Sequence, residues 1–224
     1  MIAMLLAAGR GERLRPVTDT VPKALVEVGG VSLLERHLAM LAKAGVSKVV
    51  INLGWLGEKI VERVGSGKSF GLTVVYSPEY DNVLETGGGI LRALPLLGSD
   101  PFWVVNSDVL SDYRIAPGVL AEDCLAHLVL VPTPSHKARG DFDLVDGKVR
   151  NGAETTLTFS GIGCYRPAFF DNLEPGRFPL APLLRDMADA GKVSGSLHDG
   201  MWHDVGTPER LEALNRRLSS ASRL

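Results

Sequence analysis

The first loop of the sequence, Leu6-Ala7-Ala8-Gly9-Arg10-Gly11-Glu12-Arg13, combines glycines with fixed positive charge, and Lys23 follows Pro22 where the loop closes. Glycines let a backbone come close to a ligand, and their N–H groups can cradle phosphate. Arginine and lysine supply the charge that a triphosphate needs. The loop matches neither standard nucleotide fingerprint. Gly9-x-Gly11 has no third glycine, and no Gly-Lys-Ser/Thr follows it. From these residues alone, an anion site and a plain strand-to-loop connection both stay open.

Two aspartates form a second candidate. Asp108 ends Asn106-Ser107-Asp108 after an apolar run, and Asp204 lies in Trp202-His203-Asp204-Val205-Gly206-Thr207. Carboxylates beside phosphates can hold Mg2+, and a lone Asp at a strand end also caps turns. His203 reads as a half-buried structural histidine; His127, His136 and His198 are singletons with no partner pattern. Leu84-Glu85-Thr86-Gly87-Gly88-Gly89 is either a tight turn or a bare backbone for a base or ribose, with Glu85 at the base edge. Arg139-Gly140-Asp141-Phe142, Glu154 and Thr158-Phe159-Ser160-Gly161 give hairpin polarity or contacts to sugar hydroxyls.

The elements that must position these groups follow from hydrophobic periodicity. Strands are expected at 1–7, 48–53, 72–76 and 101–105, with helices at 32–43, 55–64 and 89–97 between them. The stretch 25–28 reads as a short extended piece, and 84–89 as a glycine-rich loop. This alternation implies parallel strands with helices on both faces, an α/β, Rossmann-like, doubly wound sheet. Its ligands sit at the carboxyl ends of strands. The second half reads as strands at 126–131, 157–165 and 193–197, helices at 179–190 and 207–218, and a hairpin of 142–145 with 148–150 around Asp146-Gly147.

Composition sets the outer bounds. The 224 residues suit one large domain, or a domain with a small lobe. The net charge of −2 leaves no basic excess for nucleic acid, so an anion site must be local. Cys124 and Cys164 show no metal spacing and read as small buried hydrophobes. The apolar N-terminus is too short for a leader and its charges follow rather than precede it, and no run is long enough to span a membrane. The expected location is the cytosol.

Taken together, Leu6-Ala7-Ala8-Gly9-x-Gly11-x-Arg13-Leu14-x-Pro16-x-Thr18 and Pro22-Lys23-x-Leu25 resemble the signature of sugar-1-phosphate nucleotidylyltransferases. Glu85-Thr86-Gly87-Gly88, Asp108 and Trp202-x-Asp204-Val205-Gly206-Thr207-Pro208 fall in that family's order, so the likeness covers essentially the whole chain. It implies the nucleotide-diphospho-sugar transferase fold in a single domain over 1–224. A nucleotide part would cover about 1–110, a small sugar-binding lobe about 111–200, and a closing helix 207–218.

The resemblance also implies roles. Ala7, Ala8, Gly9 and Gly11 would line the nucleotide with backbone groups, Arg13 would hold the β- and γ-phosphates, and Lys23 the α-phosphate. Asn52, Glu85 and Gly87 would lie near base and ribose; Asn106, Gly140, Asp141, Glu154 and Gly161 near the sugar phosphate; Asp108 and Asp204 on Mg2+. Arg13, Lys23 and Asp108 would carry the catalytic effect. Ser107 departs from the family pattern, which often has glycine there.

Ile51-Asn52-Leu53-Gly54-Trp55-Leu56-Gly57, Arg139-Gly140-Asp141-Phe142 and Leu180-Ala181-Pro182-Leu183-Leu184 are similar to members that act on UTP and N-acetylmuramic acid 1-phosphate in bacterial cell-wall recycling. Guanylyl transfer to mannose or heptose 1-phosphate is the alternative within the family. Outside it, an NAD-dependent oxidoreductase is disfavoured by the missing third glycine, and a silent nucleotide-binding module by the aspartate pair. The implied partners are a nucleoside triphosphate and a sugar 1-phosphate, with no nucleic acid and no membrane.

Overall fold

A computed structural model describes residues 1–80, 83–152 and 155–221. In chain order its strands are β1 (Ile2–Leu6), β2 (Glu27–Val28), β3 (Val31–Ser32), β4 (Lys48–Leu53), β5 (Thr73–Pro78), β6 (Phe102–Asn106), β7 (Val109–Ser111), β8 (Ala126–Pro132), β9 (Asp143–Val145), β10 (Lys148–Arg150), β11 (Leu157–Tyr165), β12 (Val193–Leu197) and β13 (Trp202–Asp204). The helices are α1 (Leu33–Lys43), α2 (Gly57–Val64), α3 (Glu85–Leu97), α4 (Leu180–Asp189) and α5 (Pro208–Ala221).

A nine-stranded sheet runs β5-β4-β1-β6-β11-β8-β12-β10-β9. Strands β5, β4, β1 and β6 are mutually parallel, as the alternation requires, and β12 lies parallel to β8. Strand β11 runs antiparallel to both of its neighbours, and the β9/β10 hairpin closes the far edge. Asp146 and Gly147 in that hairpin take φ of 50° and 73°, the left-handed pair that a two-residue turn needs. The strands of the second half thus extend the same sheet.

Side chains alternate across β1. Ala3 and Leu5 pack with Leu34, Leu38, Leu41, Ile60 and Val64 of α1 and α2. Met4 packs on the other face with Ile90, Ala93 and Leu97 of α3 and with Leu180 and Leu184 of α4. That period-2 alternation is why helices cover both faces. A third cluster joins Leu14, Val26, Val28 and Leu33 to Leu110, Val205 and Leu214, which fastens α5 against the N-terminal loops. Ser32 and Glu35 form a reciprocal capping box at the start of α1.

Two local expectations change. Residues 84–89 are not a loop: the glycines lie inside the first turns of α3, which begins at Glu85 and continues through Pro95. Close packing demands them. A Cβ on Gly87 would lie 2.4 Å from the Phe178 ring, one on Gly88 2.1 Å from the Gly176 carbonyl, and one on Gly89 2.6 Å from Glu79 Oε1. The short antiparallel pair β7/β13 has too few residues to show a period in the sequence. Both cysteines are buried and unpaired, and burial pushes the Cys164 thiol up to about 11. Among the described residues no helix is long and apolar enough to cross a membrane.

Candidate active site

The chain passes from β1 outward to β4 and β5, then returns to the other side of β1 as β6. Strand order reverses between β1 and β6, and a crevice opens at the carboxyl ends of strands at such a point. Here Leu6 pairs with Asn106, so the glycine loop and Asn106-Ser107-Asp108 leave the sheet side by side. Between them lies a cleft of about 1150 Å³. The segments lining it are the loop from Leu6 to Arg13, Lys23, Asn52, Glu79-Tyr80, Val83 to Thr86, Asn106 to Asp108, and Gly176-Arg177.

The two loop glycines differ. Gly11 has φ +64°, and a Cβ there would meet Lys23 and Thr18 at 3.0 Å, so the fold itself requires glycine. A Cβ on Gly9 would meet nothing within 4 Å, so the fold does not. Open space above Gly9 is room for a ligand at the main chain. Thr18 Oγ1 donates to the Gly11 carbonyl at 2.8 Å, and the Trp55 indole donates to the Thr18 carbonyl at 2.9 Å. Arg10 stacks over Trp55 at 4.8 Å. The loop is therefore braced from behind by β4 and the residues that follow it.

Lys23 stands in a 3-10 turn, and its Nζ donates to Asp108 Oδ2 at 2.5 Å. Asp204 faces Val109 across the β7/β13 ladder, and the Val205 amide donates to the Asp108 carbonyl at 2.8 Å. Asp108, just before β7, and Asp204, at the end of β13, are thus brought together by the pairing of these two strands. Arg210 Nη1 donates to Asp204 Oδ2 at 2.5 Å, and His136 Nε2 lies 3.8 Å from Asp204 Oδ1. A Cβ on Gly206 would lie 3.4 Å from Asp204 Oδ2 and 3.7 Å from Arg13 Nη2, so both side chains border Gly206.

Each carboxylate already attracts a cation. Oxygen donors of this kind suit a hard divalent ion such as Mg2+, which commonly takes one or two carboxylates and leaves its other positions to water and phosphate oxygens. Among the described residues no cluster of three or more His, Cys, Asp or Glu offers a complete protein cage. Asp108 and Asp204 are donors of the type that such an ion takes when its remaining positions are filled by other oxygens.

Behind Asp108, His37 of α1 is buried with Nε2 unpartnered. Burial pushes its pKa down to about 4, against the opposing pull of the Val109 backbone and the Asp108 charge. Burial likewise lowers the pKa of His203, with a smaller contribution from Arg217. Ser107 directs its hydroxyl to the Leu6 carbonyl at 2.5 Å. It links β6 to β1.

At the other end of the cleft, Glu85 adopts φ 60°, a left-handed conformation uncommon outside glycine. Arg177 Nε donates to its Oε1 at 2.9 Å. The amides of Gly87 and Gly88 donate to the Phe178 carbonyl at 3.0 and 3.1 Å, and Phe178 donates back to Leu84 at 3.1 Å. A segment from the second half of the chain is therefore clamped on the start of α3.

Of the residues singled out in the sequence, the cleft gathers Ala7, Ala8, Gly9, Gly11, Arg13, Lys23, Asn52, Glu85, Asn106 and Asp108. Asp204 is not among the cleft's lining residues; it lines a second, smaller cavity of about 360 Å³ with His136, Trp202, His203 and Arg210. Gly87 is covered by Phe178 and does not line the cleft. Gly161, at φ +81°, packs on Asn106, where a Cβ would fall 2.8 Å from Nδ2.

Gly140 lies against the Leu157 backbone, with no room for a Cβ, and Asp141 accepts from Lys137 at 2.8 Å and from the Phe159 amide at 3.1 Å. Glu154 is outside the described residues. Sequence reasoning missed Glu79, Arg10 and Arg177 on the cleft wall. The strand expected at 72–76 runs on to Pro78 in the structure, which brings Glu79 to its carboxyl end.

Residues 2–139 match the nucleotidyl transferase family. The chain is 50% identical to N-acetylmuramate alpha-1-phosphate uridylyltransferase of Neisseria meningitidis serogroup B, over 95% of this chain and 96% of that protein. It is 34% identical to the protein of the same name from Caulobacter vibrioides, over 98% of both chains. Among solved structures, one assigned to a Bacillus anthracis glucose-1-phosphate thymidylyltransferase superposes with a TM-score of 0.84. At 21% identity, covering 97% of this chain and 95% of that one, it is similar in fold.

Proposed function

The chain belongs to the nucleotidyl transferase family, and from that premise we propose that it transfers a uridylyl group from UTP to N-acetylmuramic acid 1-phosphate, giving the nucleotide sugar and pyrophosphate. The observation that carries this choice of substrates is the 50% identity to the Neisseria uridylyltransferase over nearly the full length of both chains. The setting we assign is cell-wall recycling in the cytoplasm. The nucleotide belongs to the part before about residue 110, and the sugar to about 111–200, under the closing helix.

The reaction asks for little covalent work from the protein. A phosphate oxygen of the sugar 1-phosphate attacks the α-phosphorus in line, the bond to the β-phosphate oxygen breaks, and pyrophosphate leaves. The attacking group is already an anion, so no general base is needed. Catalysis reduces to positioning and charge neutralisation.

In this reading Ala8 and Gly9 bring the main chain against the phosphates, and Arg13 takes the β- and γ-phosphates. Lys23 leaves Asp108 for the α-phosphate, where charge grows in the transition state. Glu85 faces base and ribose, with Asn52 and Gly87 supporting that wall from the layer beneath. Asn106 and Gly161 meet the sugar phosphate, with Gly140, Asp141 and Glu154 toward the sugar. Asp108 and Asp204 would hold Mg2+, whose charge offsets that of the phosphates.

The test is a pyrophosphate-release assay crossing UTP, GTP, TTP, ATP and CTP with N-acetylmuramic acid 1-phosphate, N-acetylglucosamine 1-phosphate and mannose 1-phosphate, each with and without chelator. Turnover confined to the UTP and muramic acid pair, and abolished by the chelator, is the expected result. Efficient turnover of GTP with mannose 1-phosphate and none with UTP would overturn it.

A further inference from the structure

Glu79 is an acid at 3% exposure, and both of its oxygens are engaged. Oε1 accepts from Asn52 Nδ2 at 2.8 Å, and Oε2 accepts from the Leu84 amide at 3.0 Å. Asn52, also at 3% exposure, accepts the Ala7 amide on Oδ1 at 2.6 Å. One chain of hydrogen bonds therefore runs from Ala7 through Asn52 and Glu79 to Leu84. It ties the first residue after β1, the end of β4 and the residue before α3. These are three walls of the cleft.

The chain has a fixed polarity. A main-chain N–H points inward at each end, so the two side chains between them must supply three acceptor sites and one donor. An amide followed by a carboxylate does this with every donor matched. The Asn52 amide has a single orientation consistent with both neighbours, and burial makes any mismatch costly. Gly89 leaves the room: a Cβ there would lie 2.6 Å from Glu79 Oε1 and 3.1 Å from Asn52 Nδ2.

We infer that Glu79 is a positioning residue for the nucleotide: through Asn52 and Leu84 it holds the phosphate loop and the base-facing start of α3 in one fixed relation. The inference rests on the reading that this cleft takes a nucleoside triphosphate. It also means that the Ala7 and Leu84 amides are committed to the protein and do not donate to the ligand. Sugar phosphate binding lies outside this chain of bonds.

The experiment uses the polarity itself. Glu79→Gln keeps size and shape but sets a donor against a donor, at either Asn52 or Leu84. Asn52→Asp sets carboxylate against carboxylate. Glu79→Gln combined with Asn52→Asp reverses the order of amide and carboxylate: Ala7 donates to the new Asp, the new Gln donates to that Asp, and Leu84 donates to the Gln carbonyl. Every donor is matched again.

KM for UTP, KM for the sugar 1-phosphate, kcat and Tm are measured for all four proteins. Glu79→Gln is expected to raise KM for UTP at least tenfold, with kcat within threefold and the sugar phosphate KM within twofold of wild type. The double variant is expected to return KM for UTP to within threefold. A purely structural role lowers Tm in the single variants without moving KM. Should Asn52→Asp fail to fold, Glu79→Gln and the double variant decide the matter.

Wild-type KM in Glu79→Gln, or a double variant no better than Glu79→Gln, would overturn the inference. Calorimetric titration of UTP separates the two levels. No affinity in the wild type sinks the nucleotide reading and the inference with it, whereas wild-type affinity unchanged in Glu79→Gln sinks the role of Glu79 alone.

Discussion

Gly88→Ala sets helix propensity directly against packing. Gly88 is the fourth residue of α3, and alanine inside a helix is favoured over glycine by about 1 kcal/mol. Propensity alone therefore makes the substitution stabilising. The structure reverses the sign. The new methyl would sit 2.1 Å from the Gly176 carbonyl and 3.1 Å from Leu84 Cβ. The first contact is with backbone, which cannot rotate aside, so residues 176–178 must move off α3.

That movement breaks the bonds from Gly87 and Gly88 to Phe178 and from Phe178 to Leu84. Each contributes roughly 1 kcal/mol, and overpacking of this kind costs about 1–3 kcal/mol. The gain in propensity offsets part of that. The net expectation is a loss of about 3–5 kcal/mol, read as a lower urea midpoint at unchanged slope. Amide exchange at Gly87, Gly88 and Phe178 should quicken with it. Because Gly176 and Arg177 line the cleft, KM for the nucleotide should rise in the folded protein. A variant as stable as wild type, or more so, refutes the argument.

Gly9→Ala gives the opposite dissociation: open space at its Cβ leaves stability within about 0.5 kcal/mol of wild type, while the methyl enters the cleft. Nucleotide KM should rise at least tenfold, and unchanged KM would remove Gly9 from the site. Lys23→Ala should lower kcat about 100-fold with nucleotide KM within threefold, since its charge acts where the transition state develops; a pure rise in KM contradicts that role. His37 gives a pH dependence. Its folded pKa of about 4 lies below the ordinary 6.5, so on acidification the unfolded state takes up a proton that the folded state refuses, and stability falls between those values. From pH 7 to 4.5 the wild type should lose about 2 kcal/mol more than His37→Gln in urea titrations, and equal losses would show that His37 is not held neutral.

Much of the fold was legible because its strands and helices are long enough to show a period. Strand 48–53 reads as a continuous apolar run because both of its faces are covered, and the helix at 32–43 shows in the spacing of its apolar residues. The glycine run after Glu85 misled because glycine signals a turn by its own preference. Here it reports the proximity of Phe178, Gly176 and Glu79, which lie elsewhere in the sequence.

The same physical reason limits the site. Lys23 and Asp108 are suggested by type, but their contact is a product of strand order. Glu79 carries no motif; its meaning comes from which two donors meet it in the folded chain. Asp204 reaches Asp108 through a pairing of three-residue strands that no periodicity reveals.

The central claim is nucleotidyl transfer by attack of the sugar phosphate on the α-phosphorus, and oxygen tracing tests it most directly. N-acetylmuramic acid 1-phosphate carrying 18O in its phosphate is incubated with UTP, the enzyme and Mg2+, and the products are weighed by mass spectrometry. The account predicts a UDP-sugar that retains all of the label and pyrophosphate that contains none. Label in the pyrophosphate, or release of pyrophosphate with no UDP-sugar formed, would contradict it.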